Sequence, residues 1–277
     1  MPAHDPHQLP AGTKSLLDQP YVADAWHGTD PDSAQTLDLY VPAGDGPFPL
    51  IVWIHGGGWH SLGKQPHGLW FASEFGPHGF AVASIAYRLT PDAPFPAQIK
   101  DCHLALKWLR DHAAEHALDP QRIGVVGHSA GAHLCALLAT GGIVKTPEPV
   151  QAAVCWSPPC DLDRERGAWP KDTFVWNPEG KFSQTFFPTK AYEPRLARLA
   201  SPATHAHASM PPLLIVHGDQ DPIVPLGQAV RFSEQLRALG VNVVHRTEAG
   251  GTHDIINDAN NDEALRFFTG ILRPKAK

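Results

Sequence analysis

The chain has 277 residues, enough for one large domain or two small ones. Its 22 Lys+Arg and 28 Asp+Glu leave a formal charge of −6 with no basic block, which excludes bulk neutralisation of phosphates and hence nucleic-acid binding. Hydrophobic residues at 43% and charged residues at 18% exclude disorder, and no apolar run reaches the roughly 18 residues that a membrane span needs.

Residues 1–36 read as an N-terminal arm, irregular with short extended pieces. Met1 to Pro10 is polar and Pro/His-rich, without a basic segment followed by an apolar run, so no signal peptide is visible. That predicts a cytoplasmic protein if Met1 is the natural start, and a secreted one if a leader was removed before numbering. Leu37 to Val41 alternates and predicts a strand. Short apolar runs predict buried strands at Leu50–His55 and Phe80–Tyr87. From Ala97 to about His116, Ile99, Cys102, Leu106, Leu109 and Ala113 step by three or four, which predicts a helix with Pro96 at its start. A strand at Ile123–Val126 leads into an Ala- and Leu-rich buried helix at Ala130–Thr140, closed by Gly141-Gly142. Ala152–Trp156 is another strand.

Residues 158–212 carry no clear period and many aromatics, among them Trp169, Phe174, Trp176, Phe182, Phe186, Phe187 and Tyr192. A strand at Leu213–Val216, a helix at Gln228–Leu239 ended by Gly240, a strand at Val241–His245 and a helix at Asp258–Phe268 complete the chain. Strands alternating with helices predict an α/β fold, a mostly parallel central sheet with helices on both faces. The alternation spans residues 37–270 unbroken, so the expectation is one domain over 37–277 with an aromatic-rich excursion at 158–212.

Cys102, Cys135, Cys155 and Cys160 show no Cys-x-x-Cys spacing, which argues against zinc and redox roles. Cys102, Cys135 and Cys155 fall in apolar runs and read as buried. Cys155 and Cys160 are close in sequence, which does not establish a disulfide.

Gly127-His128-Ser129-Ala130-Gly131 follows a strand and opens a helix. A nucleophile needs that context: glycines allow a tight turn that lifts Ser129 above the sheet edge, at a helix N-terminus whose N–H groups face developing negative charge. A plain strand-to-helix turn that happens to hold a serine would look the same. His55-Gly56-Gly57-Gly58-Trp59 follows another strand and leaves backbone N–H groups approachable, the other half of an oxyanion hole with the N–H of Ala130. A phosphate loop is the rival, but no Lys-Ser/Thr follows these glycines and no Gly-x-Gly-x-x-Gly occurs.

The order Ser, then Asp, then His is also present. Asp219 and Asp221 both follow the strand Leu213–Val216, and His253 lies in a Gly-rich turn after the strand Val241–His245. Among the 17 His, only His253 has that late position. His55 reads as structural to its loop, His128 as the variable position of the serine motif, His133 as packed beneath it, and His217 as a strand end. His205 and His207 form a His-x-His pair without a third ligand at familiar spacing, a weak metal signal.

Together with Tyr87-Arg-Leu-Thr-Pro-Asp-Ala-Pro-Phe-Pro96 and His217-Gly-Asp-Gln-Asp-Pro-Ile-Val-Pro225, these motifs resemble α/β-hydrolase esterases of the hormone-sensitive-lipase-like group. Leu-Asp-Leu-Tyr-x-Pro at 37–42 and Asp101 early in its helix are most similar to the bifunctional acetylxylan/feruloyl esterase family. The resemblance covers about residues 35–270.

It implies an α/β-hydrolase fold and a serine carboxylic-ester hydrolase. Ser129, Asp221 and His253 would be catalytic, with Asp219 the alternative acid. Gly57, Gly58 and Ala130 would form the oxyanion hole, and Trp59 would shape the acyl pocket. No metal or cofactor is implied. The substrate would be a small-molecule or carbohydrate ester, short-acyl or feruloyl/acetyl. The oligomeric state is left open. An arylformamidase-like amide hydrolase shares the glycine loop and serine turn, and a non-catalytic binding protein on the same fold is the remaining alternative. The run Gly250-Gly251-Thr252-His253-Asp254 departs from the family's usual Gly-x-Gly-His or Ala-Gly-His turn and sets a charge beside the histidine.

Overall fold

The apolar runs assemble into a single eight-stranded sheet in a computed structural model that describes residues 8–26, 34–144 and 150–273. In chain order its strands are β1 (Lys14–Pro20), β2 (Thr36–Val41), β3 (Phe48–Ile54), β4 (Ala81–Ile85), β5 (Leu118–His128), β6 (Ala152–Trp156), β7 (Leu213–Gly218) and β8 (Val243–Glu248). Their spatial order is β1-β2-β4-β3-β5-β6-β7-β8. β2 runs antiparallel to β1 and β4, and every other pair is parallel. Parallel strands need crossover connections, and here most of these are helices. The principal helices are α1 (His67–Phe75), α2 (Ala97–Asp111), α3 (Ala130–Ala139), α4 (Pro194–Ala200), α5 (Pro202–His205), α6 (Gly227–Ala238) and α7 (Asp258–Leu272).

Side chains alternate across the sheet and build two cores. In β3, Leu50, Val52 and Ile54 face a core shared with Ile99 of α2, Leu134 of α3 and Leu236 of α6. Ile51 and Trp53 of the same strand face a core shared with Phe71 and Phe75 of α1 and Phe268 of α7. Both faces of the central strands are therefore covered, which is why Leu50–Ile54, Ala152–Trp156 and Leu213–Val216 read as unbroken apolar runs.

The sheet begins inside the N-terminal arm, with a strand whose bounds and partner the sequence does not predict. Within the arm, where short extended pieces are expected, residues Lys14–Pro20 pair with β2 as an edge strand. β1 has one neighbour and is mostly exposed, so it carries no alternating apolar signature to reveal it. Its place is fixed by polar contacts: the Asp18 N–H donates to Asp38 at 2.8 Å, and buried Lys64 bridges Asp18 and Asp38. Helix α1 is also unforeseen. It is nine residues long, follows Pro66 and has no capping side chain. β5 starts five residues before the predicted strand, at Leu118, with a register irregularity against β3. The helix expected to reach His116 ends at Asp111, followed by a turn whose His112 and His116 rings stack on Trp108 of the helix.

The excursion at 158–212 carries α4, α5 and a π-helical turn at Phe182–Phe186. Its aromatics are packed into the α2/α3/α6 core. Phe186 lies 4.6 Å from the Trp59 ring and 5.3 Å from Phe95, and Phe182 stacks on Phe186 at 5.1 Å. Among the described residues, no helix is long and apolar enough to cross a membrane.

Candidate active site

The carboxyl ends of β3, β5, β6, β7 and β8 all open onto one edge of the sheet, where ligands of open α/β sheets gather. Ser129 sits between β5 and α3 with φ 55° and ψ −118°, a conformation sparsely populated for a residue with a Cβ. Two backbone bonds hold it there. Its N–H donates to Trp156 O at 2.8 Å, extending the β5–β6 ladder, and its carbonyl accepts from His133 N at 3.0 Å, beginning the helix. Two residues on, a Cβ at Gly131 would run into the Ile54 carbonyl of β3. Only glycine lets α3 start this close to the sheet, and that proximity sets the height of Ser129.

His253 lies between Ser129 and Asp221. Its Nε2 is 2.9 Å from Ser129 Oγ, and its Nδ1 is 2.7 Å from Asp221 Oδ2. With the proton on Nδ1 donated to the carboxylate, Nε2 is free to accept from the serine hydroxyl. The Asp221 side chain has 0% exposure. Its Oδ1 accepts from the N–H groups of Ile223 and Val224 at 2.8 and 2.9 Å, and its Oδ2 also faces His217 Nε2 at 3.1 Å. Burial alone would raise the carboxyl, but the bonds from His217 and His253 outweigh it and hold Asp221 well below the usual carboxylate range. Asp219 is turned away: its Oδ1 accepts from Gly250 N at 2.8 Å, bracing the turn that carries His253. Asp254, beside the histidine in sequence, accepts from Ile256 N at 3.3 Å.

The glycine loop has its carbonyls committed elsewhere. The Tyr87 hydroxyl reaches His55 O and Gly56 O at 2.9 and 3.1 Å, and the His55 ring stacks on Tyr87 at 4.2 Å. Gly57 O accepts from His60 N, Ser61 N and Ser61 Oγ at 3.0–3.1 Å. Gly57 has φ 87°, and a Cβ there would collide with the Ser61 carbonyl. The Gly57 and Gly58 N–H groups meet no acceptor among the described residues, and both glycines line a cavity of about 520 Å³. Ala130 opens α3, where a helix N–H lacks an intrahelical partner.

The same cavity reaches Ser129 and His253 and is walled by Trp59, Phe174, Phe182, Val224, Leu62 and Ile223, with His60, Asn177 and Lys181 as polar members. Trp59 is 2% exposed and fixed, its indole N–H donating to His133 Nδ1 at 3.2 Å while His133 Nε2 donates to Ala200 O at 2.7 Å. It is thus a rigid piece of wall that links the glycine loop to the serine helix.

A comparison with protein families matches residues 37–236 to the BD-FAE family. The chain belongs to the BD-FAE family. This BD-FAE chain is 31% identical over 240 residues to Esterase LipQ of Mycobacterium tuberculosis, covering 81% of the chain and 55% of the relative. It spans roughly half to two thirds of the length of the first curated relatives it matches, 48–65%. Among solved structures it superposes on a truncated carbohydrate esterase from gut microbiota with TM-score 0.78 and 24% identity, covering 97% of this chain and 98% of the other. On a thermophilic esterase, Est2, of Thermogutta terrifontis it gives TM-score 0.71 with 26% identity and 94% of each chain covered. The fold is that of the α/β hydrolases.

Of the site residues expected from sequence, Ser129, His253 and Asp221 converge by direct contacts, and Gly57, Gly58 and Trp59 share their cavity. The His205–His207 pair does not converge: His205 donates to Leu199 O and His207 to Thr140 O. All four cysteines are free, buried thiols. The sequence did not reveal Leu62, Ile223, Lys181 or the contact of His217 with Asp221. Leu62 and Ile223 stand out only as apolar residues in loops beside the glycine and acid motifs, a signal that becomes specific once the loops are known to face each other.

Proposed function

We propose that the protein is a carboxylic ester hydrolase that works through a Ser-His-Asp acyl-enzyme. The observation carrying this reading is the position of the His253 ring, 2.9 Å from Ser129 Oγ and 2.7 Å from Asp221 Oδ2, in a cavity edged by the Gly57 and Gly58 N–H groups, which meet no acceptor among the described residues. Membership of the BD-FAE family and the named esterase relatives support it.

In this mechanism His253 Nε2 takes the Ser129 proton as Oγ attacks the ester carbonyl. Asp221 holds the imidazole in the productive tautomer and stabilises the imidazolium. The N–H groups of Gly57, Gly58 and Ala130 receive the oxyanion. The tetrahedral intermediate collapses as His253 passes its proton to the departing alcohol. Water then enters, gives a proton to His253 and attacks the acyl carbon. Collapse of the second intermediate passes the His253 proton to Ser129 and frees the carboxylic acid, which ionises in water.

For the substrate we propose short-acyl or feruloyl/acetyl esters of carbohydrates. An aromatic wall from Trp59, Phe174 and Phe182 suits a flat or short acyl group, and the resemblance to acetylxylan/feruloyl esterases points to a carbohydrate alcohol. The test is a hydrolysis panel of aryl esters from acetate to octanoate, methyl ferulate, acetylated xylan and an N-formyl aryl amide. The expected result is turnover of the short esters and of methyl ferulate or acetylated xylan, with little on octanoate or the formamide. Turnover of the formamide alone would replace ester with amide chemistry. Turnover of simple aryl esters only would remove the carbohydrate assignment.

A further inference from the structure

The main-chain carbonyl of His253 is held by side chains from two other elements. His128 Nε2, one residue before the nucleophile, lies 2.8 Å from it, and Ser157 Oγ, one residue past β6, lies 2.9 Å from it. Ser157 is fully buried with φ 50°, and its own N–H donates to Val216 O at 2.9 Å, so its hydroxyl is anchored from behind by β7. The His128 ring packs beside the His253 ring, centroids 4.9 Å apart. Neither residue is bonded to Ser129 Oγ or to Asp221.

Resting on the Ser129–His253–Asp221 reading above, we infer that His128 and Ser157 are positioning residues: a two-point clamp on the His253 peptide that keeps its imidazole in line between hydroxyl and carboxylate. His253 lies outside any helix or strand, and its carbonyl accepts no backbone N–H among the described residues. The two side-chain bonds are what fix this peptide. A ring carried on a loosened peptide departs from both partners together, and a displacement of about 1 Å is enough to cost roughly 100-fold in rate.

The chemistry of the donors suits the task. His128 donates through Nε2–H in its neutral form, and burial holds the ring at about 4, so it stays uncharged beside an imidazole that becomes positive during the reaction. Through this clamp the serine turn, the end of β6 and the histidine loop act as one unit.

The test compares His128→Met, which removes the donor, with His128→Gln, whose amide N–H reaches about as far, and with Ser157→Ala. Each is assayed on 4-nitrophenyl acetate, melted, and observed for the low-field proton resonance of the His253–Asp221 hydrogen bond. His128→Met should lose roughly 10- to 100-fold in kcat with KM unchanged and lose or broaden that resonance. His128→Gln should restore most of both, and Ser157→Ala should lose several-fold in kcat. Wild-type kcat in His128→Met, or equal losses in the Gln and Met variants, overturns the clamp. If His128→Met does not fold, an unchanged kcat in Ser157→Ala overturns it. An active Ser129→Ala would instead overturn the nucleophile assignment beneath it, leaving the two failures distinct.

Discussion

The strand-end loops and the excursion at 158–212 line the same cavity but are built by different forces. In the strand-end loops the backbone fixes position. Past the formal strand ends, Ser129 N donates to Trp156 O, Ser157 N to Val216 O, Asp219 N to Glu248 O and Gln220 N to Gly251 O, all at 2.8–3.1 Å. The excursion is held by side chains. Gln228 of α6 ties Cys160 N, Asp161 N and Gly167 O, while Asp163 caps the turn after it and pairs with Arg198. The Arg164 guanidinium lies 3.7 Å over the Tyr192 ring, and the Phe and Trp rings fill the rest. A backbone ladder changes little when a side chain is exchanged, whereas a side-chain scaffold is redrawn by each exchange. On the proposed mechanism, the strand-end loops would set whether the reaction runs and the excursion which ester fits.

Breaking the first region should abolish turnover for every substrate. Ser129→Ala should lower kcat on the order of 10⁶-fold, measured on any hydrolysed ester. Asp221→Asn should cost about 10⁴-fold, because an amide donating to Nδ1 moves the imidazole proton to Nε2, where the ring can no longer accept from Ser129. Asp219→Asn, at the brace on Gly250, should stay close to wild type; the reverse ranking would exchange the two acids. The same region should also be sensitive to acid. Burial holds His55, in the glycine loop, and His133, on the serine helix, at about 4 against an ordinary 6.5. The unfolded chain takes up these protons first, so their contribution to stability is complete above pH 6.5 and is lost as pH falls toward 4. The slope is roughly 1.4 kcal/mol per pH unit for each histidine, about 10²-fold in the folding equilibrium for the pair, read from urea midpoints between pH 7 and 4. A flat profile there would show the two rings to be solvated.

Altering the excursion should be milder and selective. Phe182→Ala opens the cavity wall and should shift the kcat/KM ratio between acetate and bulkier acyl esters by about tenfold, with the best substrate still turned over. An equal loss on all esters would move Phe182 from specificity into the catalytic frame.

Most of this frame was legible in the sequence because its signals are local. β6 was bounded to the residue, since both its faces are buried and Ala152–Trp156 is flanked by Gln151 and Ser157. The serine turn announced itself because close approach to Ile54 demands Gly131. What stayed hidden depends on partners distant in the chain. β1 is an exposed edge with no apolar period, placed by the Lys64 bridge to Asp18 and Asp38. His128 reads from sequence as the variable position of the serine motif and His217 as a strand end; the contact of His128 with His253 spans 125 residues, and that of His217 with Asp221, though only four residues apart, depends on how the acid loop turns back. The excursion has no period because its aromatics pack on one another and on Trp59 rather than along a single helix or strand.

The account depends on Ser129 being a nucleophile activated by His253. Stoichiometric inactivation with an active-site-directed aryl phosphonate, followed by peptide mass spectrometry, tests this most directly. The account predicts one adduct per chain, on Ser129, with ester hydrolysis falling in proportion to labelling and both absent in His253→Ala. Full hydrolysis after complete exposure to the reagent, or loss of activity with the adduct on another residue, would contradict it.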